Sequence, residues 1–245
     1  PGKKCAMART SRKGTPPRNP LLAIQWPAQV ERRDAGMFDV FFRSPNRDRL
    51  QIPHWRGRVF SIKEGTRLDY ASSAGRRLIL QLDPLPEVTR LWPFAIEIPI
   101  RTPVRGQMAV LFPDLVIALY DGRWAVVVCR TTAGMASAEG KSTWASIQAY
   151  AERYGLGCLM TDGTLSTADL TGMPLPEGFA SALSDAVREA GRLVRTDVER
   201  LMARFGATQQ QMLSVVWQEP MTYRPTPGWI DWVGPSSTGP SEASS

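Results

Sequence analysis

The chain has too few cysteines and histidines to predict a zinc site or a disulfide framework. Its 245 residues include three cysteines, Cys5, Cys129 and Cys158, without C-x-x-C spacing, and a single histidine, His54. An odd number of cysteines in no metal-binding pattern favours small buried hydrophobic roles for Cys129 and Cys158. His54 has no histidine or cysteine nearby in the sequence, so it is a weak candidate for a metal ligand.

Long apolar runs are also missing. No window approaches the roughly 18–20 apolar residues that span a bilayer, and the basic start of the chain is not followed by the apolar core of a signal peptide. The sequence therefore predicts a cytoplasmic protein with no membrane partner.

Acidic residues are absent before Glu31, although the chain as a whole carries 30 basic and 23 acidic residues and a net charge of +7. Residues 1–20 contain four prolines and few apolar residues, which predicts a disordered basic arm. The favoured role of this arm is a tether to DNA or to an acidic partner; the alternative is a solvated tail. Its six basic residues, the first candidate DNA contacts, are Lys3, Lys4, Arg9, Arg12, Lys13 and Arg18.

A second basic stretch, 43–58, combines five arginines with Trp55 inside a region, 21–70, that we predict to contain short strands and loops. Basic residues interleaved with an aromatic ring can follow a phosphate backbone and stack a base. A solvated surface loop is the favoured interpretation. The candidate DNA contacts here are Arg47, Arg49, Trp55 and Arg56.

The strongest secondary-structure signal is a pair of valine-rich apolar runs, 115–120 and 123–128, separated by Asp121-Gly122. An Asp-Gly pair between apolar runs predicts a β-hairpin with a type I′ turn. Since neither run alternates with polar residues, we expect both strands to be covered on both faces by helices.

Helical and extended patterns surround this hairpin. We predict helices at 73–82, capped by Ser72 and Ser73, and at 142–154, strands at 87–91, 94–100 and 158–161, and a small-residue loop at 131–140. This order predicts an α/β sandwich.

The pattern becomes helical after Pro174. We predict helices at 178–190, 197–205 and 209–217, the last two opened by the capping boxes Thr196/Glu199 and Thr208/Gln211. Strands at 221–224 and 229–233 would form the wing of a winged-helix domain. The alternative is a helical subdomain that packs on the first domain and binds nothing. The helix at 209 carries no Lys or Arg, although its glutamines are able to read adenine edges.

A restriction-enzyme type nuclease needs an acid at the start of one hairpin strand and D/E-x-K at the end of the next, to hold Mg²⁺ and position water. Asp114 supplies the first acid. Val128 stands where the second is needed, and a valine cannot ligate a cation. Arg130 keeps the charge of the lysine but has a different shape and does not give up a proton.

The chain resembles the endonuclease subunit TnsA of heteromeric transposases across about Ala71 to Asp162. The resemblance is carried by the order and spacing of four motifs, namely S-x-x-x-R-x-L-I-L-Q-L-D-P, P-E-V-T-R-L-W-P-F-A-I-E-I-P-I, F-P-D-L-V-I-x-x-x-D-G-R-W-x-V-V-V-C-R and L-M-T-D. It implies a restriction-endonuclease-like mixed sheet flanked by helices (21–170), with a small helical or winged-helix C-terminal domain (175–233) in the expected place. The Gly-, Pro- and Ser-rich composition of 234–245 predicts a flexible tail.

The resemblance also implies four site positions. The metal-binding glutamate of the family falls on Gly75, the aspartate on Asp114, the Gln/Glu on Val128 and the lysine on Arg130. Asp114 is thus the only metal ligand retained, so we expect no cofactor, or Mg²⁺ if the site still functions. Even Asp114 has an alternative role, as a strand-start aspartate that accepts backbone N–H groups.

The leading hypothesis is therefore a TnsA-like transposase subunit that has lost catalysis and contributes DNA binding and assembly. The resemblance implies DNA, a TnsB-like DDE transposase and a TnsC-like ATPase as partners. The alternatives are a non-catalytic DNA-binding or adaptor protein of a mobile element or replicon, and a nuclease with rearranged ligands drawn from Glu64, Asp69 or Glu97.

Deleting residues 1–20 tests whether the arm supplies the DNA contacts. If all six charges engage phosphates, a salt titration of DNA binding should give a log–log slope of about −5, from roughly −0.9 per phosphate. The deletion should flatten this slope. An unchanged slope would instead place the binding surface on the folded body.

Overall fold

The computed structural model describes residues 19–34, 57–101 and 108–234, which form a mixed α/β structure. The described part of the chain contains a short 3-10 helix at Pro20–Ala23 and eleven strands. They are β1 (Gly57–Ser61), β2 (Thr66–Tyr70), β3 (Val88–Pro93), β4 (Ile98–Arg101), β5 (Met108–Leu111), β6 (Leu115–Leu119), β7 (Trp124–Cys129), β8 (Gly157–Thr161), β9 (Arg192–Leu193), β10 (Met221–Arg224) and β11 (Trp229–Trp232).

The helices alternate with these strands in the first two thirds of the chain and cluster after residue 178. They are α1 (Ser73–Leu82), α2 (Thr132–Met135), α3 (Ala138–Arg153), α4 (Thr167–Thr171), α5 (Phe179–Ala190), α6 (Arg195–Phe205) and α7 (Gln209–Gln218). None of the helices within these ranges is long and apolar enough to cross a bilayer.

A four-stranded sheet in the order β3-β6-β7-β8 forms the centre of the molecule. β3, β6 and β7 are antiparallel, and β8 is parallel to β7 after a crossover through α3. The predicted hairpin of β6 and β7 is confirmed, and every residue of both strands is buried. The prediction that both strands are covered on both faces is therefore also confirmed.

The predicted type I′ turn of this hairpin is wrong. The loop has three residues, 120–122: the Leu119 amide pairs with the Arg123 carbonyl, and the Gly122 amide donates to the Leu119 carbonyl. Gly122 has φ 80°, but Phe94 is the single non-glycine residue with positive φ in the ranges described, so Asp121 does not adopt it. A three-residue loop with one left-handed glycine is the next most common hairpin connection.

Each face of the sheet is covered by one long helix, because side chains alternate along each strand. Leu78, Ile79 and Leu82 of α1 contact the odd-numbered residues of β6 and β7. Trp144 and Ile147 of α3 contact the even-numbered ones. Two separate apolar layers result, and they position the ends of α1 and the hairpin relative to one another.

Two local predictions are wrong for identifiable reasons. The predicted strand at 94–100 begins only at Ile98, because the chain turns at Phe94, where φ is 49°. The predicted loop at 131–140 instead contains α2 and the start of α3. Its small residues permit close packing: a Cβ at Gly140 would lie 2.0 Å from the Gly134 carbonyl oxygen.

The segment 19–34 extends the sheet at its β8 edge. Gln25 and Cys158 exchange two backbone hydrogen bonds, each 2.9 Å long. Further along, the Arg33 amide donates to the carbonyl of Gly122 in the hairpin loop. This segment therefore covers an edge strand that would otherwise expose unpaired backbone groups.

The C-terminal residues form a third apolar cluster with its own antiparallel sheet, in the order β10-β11-β9. The capping box of Thr208 and Gln211 is confirmed at the start of α7. The predicted box of Thr196 and Glu199 is wrong, because α6 begins at Arg195 and its N-cap, Val194, has no side-chain cap. The predicted strands after α7 are confirmed as β10 and β11.

Helix α7 is held against the first part of the chain. The Ser214 hydroxyl and the Gln218 amide both donate to the carbonyl of Leu170 in α4. The Lys141 ammonium, from α3, donates to the carbonyls of Val216 and Glu219, 2.5 and 2.7 Å away, at the end of α7. Helix ends leave such carbonyls without an intrahelical partner, so Lys141 acts as a cap supplied by another element.

Replacing Lys141 with Met should weaken this contact by about 1–2 kcal/mol, because two partly buried carbonyls lose their donor. Burial lowers the pKa of Lys141 to about 8, so at pH 7 the wild-type amine still carries its charge. Urea denaturation at pH 7 measures the loss. Arg76→Met, at an exposed position on α1, is the matched control and should change stability by less than about 0.5 kcal/mol. Equal effects of the two variants would contradict the capping role.

Candidate functional site

The N-terminal turn of α1 lies against the start of β6. Ser72 caps the helix, its hydroxyl accepting from the Gly75 amide at 2.9 Å. A Cβ on Gly75 would lie 3.5 Å from Oδ1 of Asp114, an ordinary van der Waals contact. A longer side chain at this position would therefore start beside the aspartate, as the metal-binding glutamate of the resemblance requires.

Asp114 accepts a backbone hydrogen bond at the end of the β6–β7 strand pair. Its Oδ2 accepts the Cys129 amide at 2.7 Å, so the carboxylate substitutes for a strand carbonyl beyond the last backbone pair, Leu115 with Val127. Burial raises the pKa of Asp114 to about 6, against the lowering effects of the Cys129 amide and the Arg130 charge. The structural role of a strand-start aspartate is thus present in the molecule. The sequence could not show that Cys129 is the partner of Asp114, because every residue except proline has a backbone N–H group.

Val128 and Arg130 flank this amide on β7. Val128 has no exposed surface and belongs to the apolar layer under α3. Arg130 is about one-third exposed, and one of its terminal nitrogens lies 4.0 Å from a carboxylate oxygen of Glu139. The charge of Arg130 partly offsets the effect of burial, which raises the pKa of Asp114. All four positions implied by the resemblance therefore lie around the open end of one hairpin.

The other carboxylates proposed as replacement ligands are occupied or exposed. Glu64 accepts from the Arg90 side chain and from the Leu91 amide, and Asp69 accepts from Arg58. Glu97 is an exposed residue just before β4. In the three ranges that the structure describes, no group of three or more His, Cys, Asp or Glu side chains comes together as a metal site.

No family model matches this chain, and no match is found among the curated proteins. The interpretation of the site therefore depends on its own residues. Mg²⁺ prefers octahedral oxygen ligation, and the four positions offer one carboxylate, one valine, one glycine and one arginine. These residues do not fit the ion. The arrangement supplies instead one raised-pKa carboxyl and one arginine at the end of a rigid sheet.

All ten predicted DNA contacts lie outside the residues that the structure describes. These are the arm residues Lys3, Lys4, Arg9, Arg12, Lys13 and Arg18 and the second group Arg47, Arg49, Trp55 and Arg56. His54 and Cys5 also lie outside. Cys129 and Cys158 are free and buried, which confirms the prediction of small hydrophobic roles, and burial raises the pKa of both thiols.

Replacing Asp114 with Asn should stabilise the protein above pH 6. Because the folded pKa of about 6 exceeds the ordinary value of 3.8, the carboxyl binds its proton more tightly in the folded state. This tighter proton binding stabilises the folded state fully below pH 3.8, and the stabilisation is lost as the pH rises through 6. The asparagine keeps an acceptor for the Cys129 amide without the buried charge. We expect it to be more stable than wild type by about 1–3 kcal/mol at pH 8, with the difference shrinking at pH 4.5.

Asp114→Ala is the matched comparison. It removes both charge and acceptor, so it should be less stable than Asp114→Asn by about 1–3 kcal/mol at either pH. Urea denaturation of the three proteins at both pH values measures these differences, and repeating the pH 8 series with added Mg²⁺ gives a second criterion. If the wild type is more stable than the asparagine variant at pH 8, and Mg²⁺ increases this difference in stability, Asp114 is a metal ligand.

Proposed function

We propose that this chain is a TnsA-like subunit of a heteromeric transposase whose nuclease site is degenerate, and that it contributes DNA binding and complex assembly without cutting DNA. The observation that carries the proposal is the convergence of Gly75, Asp114, Val128 and Arg130 at the end of the β6–β7 hairpin. Gly75 is 39 residues before Asp114 in the sequence, yet a Cβ at Gly75 would lie 3.5 Å from Oδ1 of Asp114. Asp114 is the one carboxylate among these four residues.

The surrounding architecture supports the same proposal. A mixed sheet is flanked by α1 and α3, and the aspartate starts one strand of its central hairpin. A restriction-endonuclease-like nuclease places its first acid in this way. In the C-terminal part, α6 and α7 are joined by the short link 206–208 and followed by the β10–β11 hairpin, the order proposed for a winged helix.

The chemistry left at the site favours a binding role. Cleavage of a phosphodiester by this type of enzyme needs a cation to polarise the phosphate and activate water. Asp114 accepts the Cys129 amide through Oδ2. An arginine side chain binds phosphate through its planar fork of N–H donors. Arg130 is therefore suited to hold a phosphate.

The proposed partners are DNA, a TnsB-like DDE transposase and a TnsC-like ATPase. Co-purification of the full chain with a transposase or an ATPase encoded beside it would distinguish this proposal from a replicon adaptor. An adaptor would bind DNA without either protein.

The proposal predicts no metal-dependent cleavage. Supercoiled plasmid incubated with the full chain and Mg²⁺ or Mn²⁺ should stay uncut, and Asp114→Ala should behave identically. Nicking that depends on the metal and disappears in Asp114→Ala would overturn the loss of catalysis.

Restoring the missing groups gives a positive counterpart. Gly75→Glu, Val128→Gln and Arg130→Lys should be needed together before nicking appears, because each supplies a different part of the ion site. Val128 is fully buried, so Val128→Gln alone should cost about 1–3 kcal/mol of stability through an unpaired amide. Thermal unfolding of each variant separates a failure to fold from a failure to cut. Nicking by Gly75→Glu alone would show that the site is less degenerate than proposed.

A further inference from the structure

The helix that would enter a DNA groove in a helix-turn-helix is largely covered. Residues 212–216 of α7 are buried, and Gln211 donates to the carbonyl of Pro174 as well as closing its own capping box. Only 208–210 are exposed at the start of the helix, and none of them is basic. Helix α7 is therefore poorly placed to contact phosphates.

The opposite side of the same region presents the outer face of the β10-β11-β9 sheet. Ile230 and Leu193 pair across the inner face and are buried, so their neighbours Asp231 and Arg192 pair on the outer face. By the same alternation, Arg224 shares the outer face with its partner Trp229. A carboxylate, an indole and two arginines thus lie together on three adjacent strands.

The contacts within this group orient both guanidinium groups. Asp231, whose side chain is 15% exposed, accepts from Nε of Arg192 and, at 2.8 Å, from Nε of Arg224. The guanidinium of Arg192 also lies over the Trp229 ring, 3.9 Å from its centroid. Each arginine uses Nε for the carboxylate, and none of the described residues accepts a hydrogen bond from its two terminal nitrogens, which are therefore placed to bind another ligand. A guanidinium held in this way loses less entropy when it binds an anion.

We propose that Arg192 and Arg224 form a phosphate-binding pair, oriented by Asp231, through which the C-terminal sheet contacts the DNA backbone. The proposal rests on the proposed function in that the ligand is DNA. Residues 175–233 contain six basic and seven acidic residues, so the region as a whole does not attract DNA. Two arginines that share one aspartate give this part of the sheet a local positive charge. The side chains of Arg192 and Arg224 are 45% and 61% exposed. Planar forks of this kind bind phosphate through two parallel hydrogen bonds.

Fluorescence anisotropy with a labelled duplex of about 30 base pairs tests the pair in the full chain. Arg192→Ala and Arg224→Ala should each weaken binding about 3- to 10-fold near 0.1 M salt, and each should reduce the log–log salt slope by about 1. Arg200→Ala is the matched control, since Arg200 is an exposed arginine on α6 that also pairs with an aspartate, Asp197. It should leave the affinity and the slope unchanged within twofold.

The role of Asp231 separates an oriented pair from simple charge attraction. Asp231→Asn removes a negative charge, so charge attraction alone would strengthen DNA binding. If Asp231 instead orients the two arginines, binding should weaken severalfold although the net charge has become more positive. Arg224→Lys keeps the charge but lacks the fork, and should fall between wild type and Arg224→Ala. Thermal unfolding of every variant establishes that the sheet is intact.

The outcomes separate this inference from the function on which it rests. Wild-type protein that binds no DNA would overturn both. DNA binding that the arginine variants leave unchanged, or that Asp231→Asn strengthens, would overturn the phosphate-binding pair and leave the proposed function standing. Weaker binding in both alanine variants and in Asp231→Asn, with an unaffected control, is the expected result.

Discussion

The hairpin of β6 and β7 has no face directed toward solvent, and the rest of the structure follows from this constraint. One apolar layer under α1 and another under α3 cover its two sides, with Trp124, Val126 and Val128 on one side and Ala125 and Val127 on the other. Since β3 and β8 also cover its two edges, this hairpin exposes polar backbone only at its strand ends. Polar chemistry at the hairpin is therefore confined to those ends, and Asp114 and Arg130 lie at one of them.

At that end, the carboxylate of Asp114 meets a polar requirement of the backbone. The Cys129 amide points past the last backbone pair of the hairpin and would lack a partner without the Asp114 carboxylate. A buried N–H without an acceptor costs about 1–3 kcal/mol. Asp114 therefore has a structural role that is independent of any catalytic role. Its presence beside Gly75 and Val128 is consequently weak support for catalysis.

The packing of α7 determines which surfaces of the C-terminal region meet other molecules. Lys141 and Leu170 bind its backbone and side chains from the first part of the chain, while its apolar residues face the third cluster. Because α7 is held on two sides, the exposed parts of this region include α6 and the outer face of the β10-β11-β9 sheet. Helix α7 has no arginine, whereas Arg192 of β9 and Arg224 of β10 lie on that outer face.

The sequence alone determined the elements whose signal is local. Valine-rich runs, Gly and Pro positions and the Thr208–Gln211 capping box predicted the central hairpin, α1, α3, β8, α7 and the last two strands, since periodicity and caps act within a few residues. It also predicted that Asp114 is the single acid among the four site positions. The sequence analysis misplaced the turn at 120–122, the strand after Phe94 and the start of α6. The bounds of these elements depend on single backbone angles or on distant contacts, which residue patterns do not show.

Tertiary structure alone decided what each polar group does. Residue type does not reveal that Asp114 accepts a particular amide, that Lys141 caps a helix 75 residues away, or that Asp231 joins arginines from two different strands. Such contacts depend on strand register and helix packing, which bring together residues distant in the chain. The apolar pattern fixes where the core lies, but the partners of its polar groups are set only when the layers close around them.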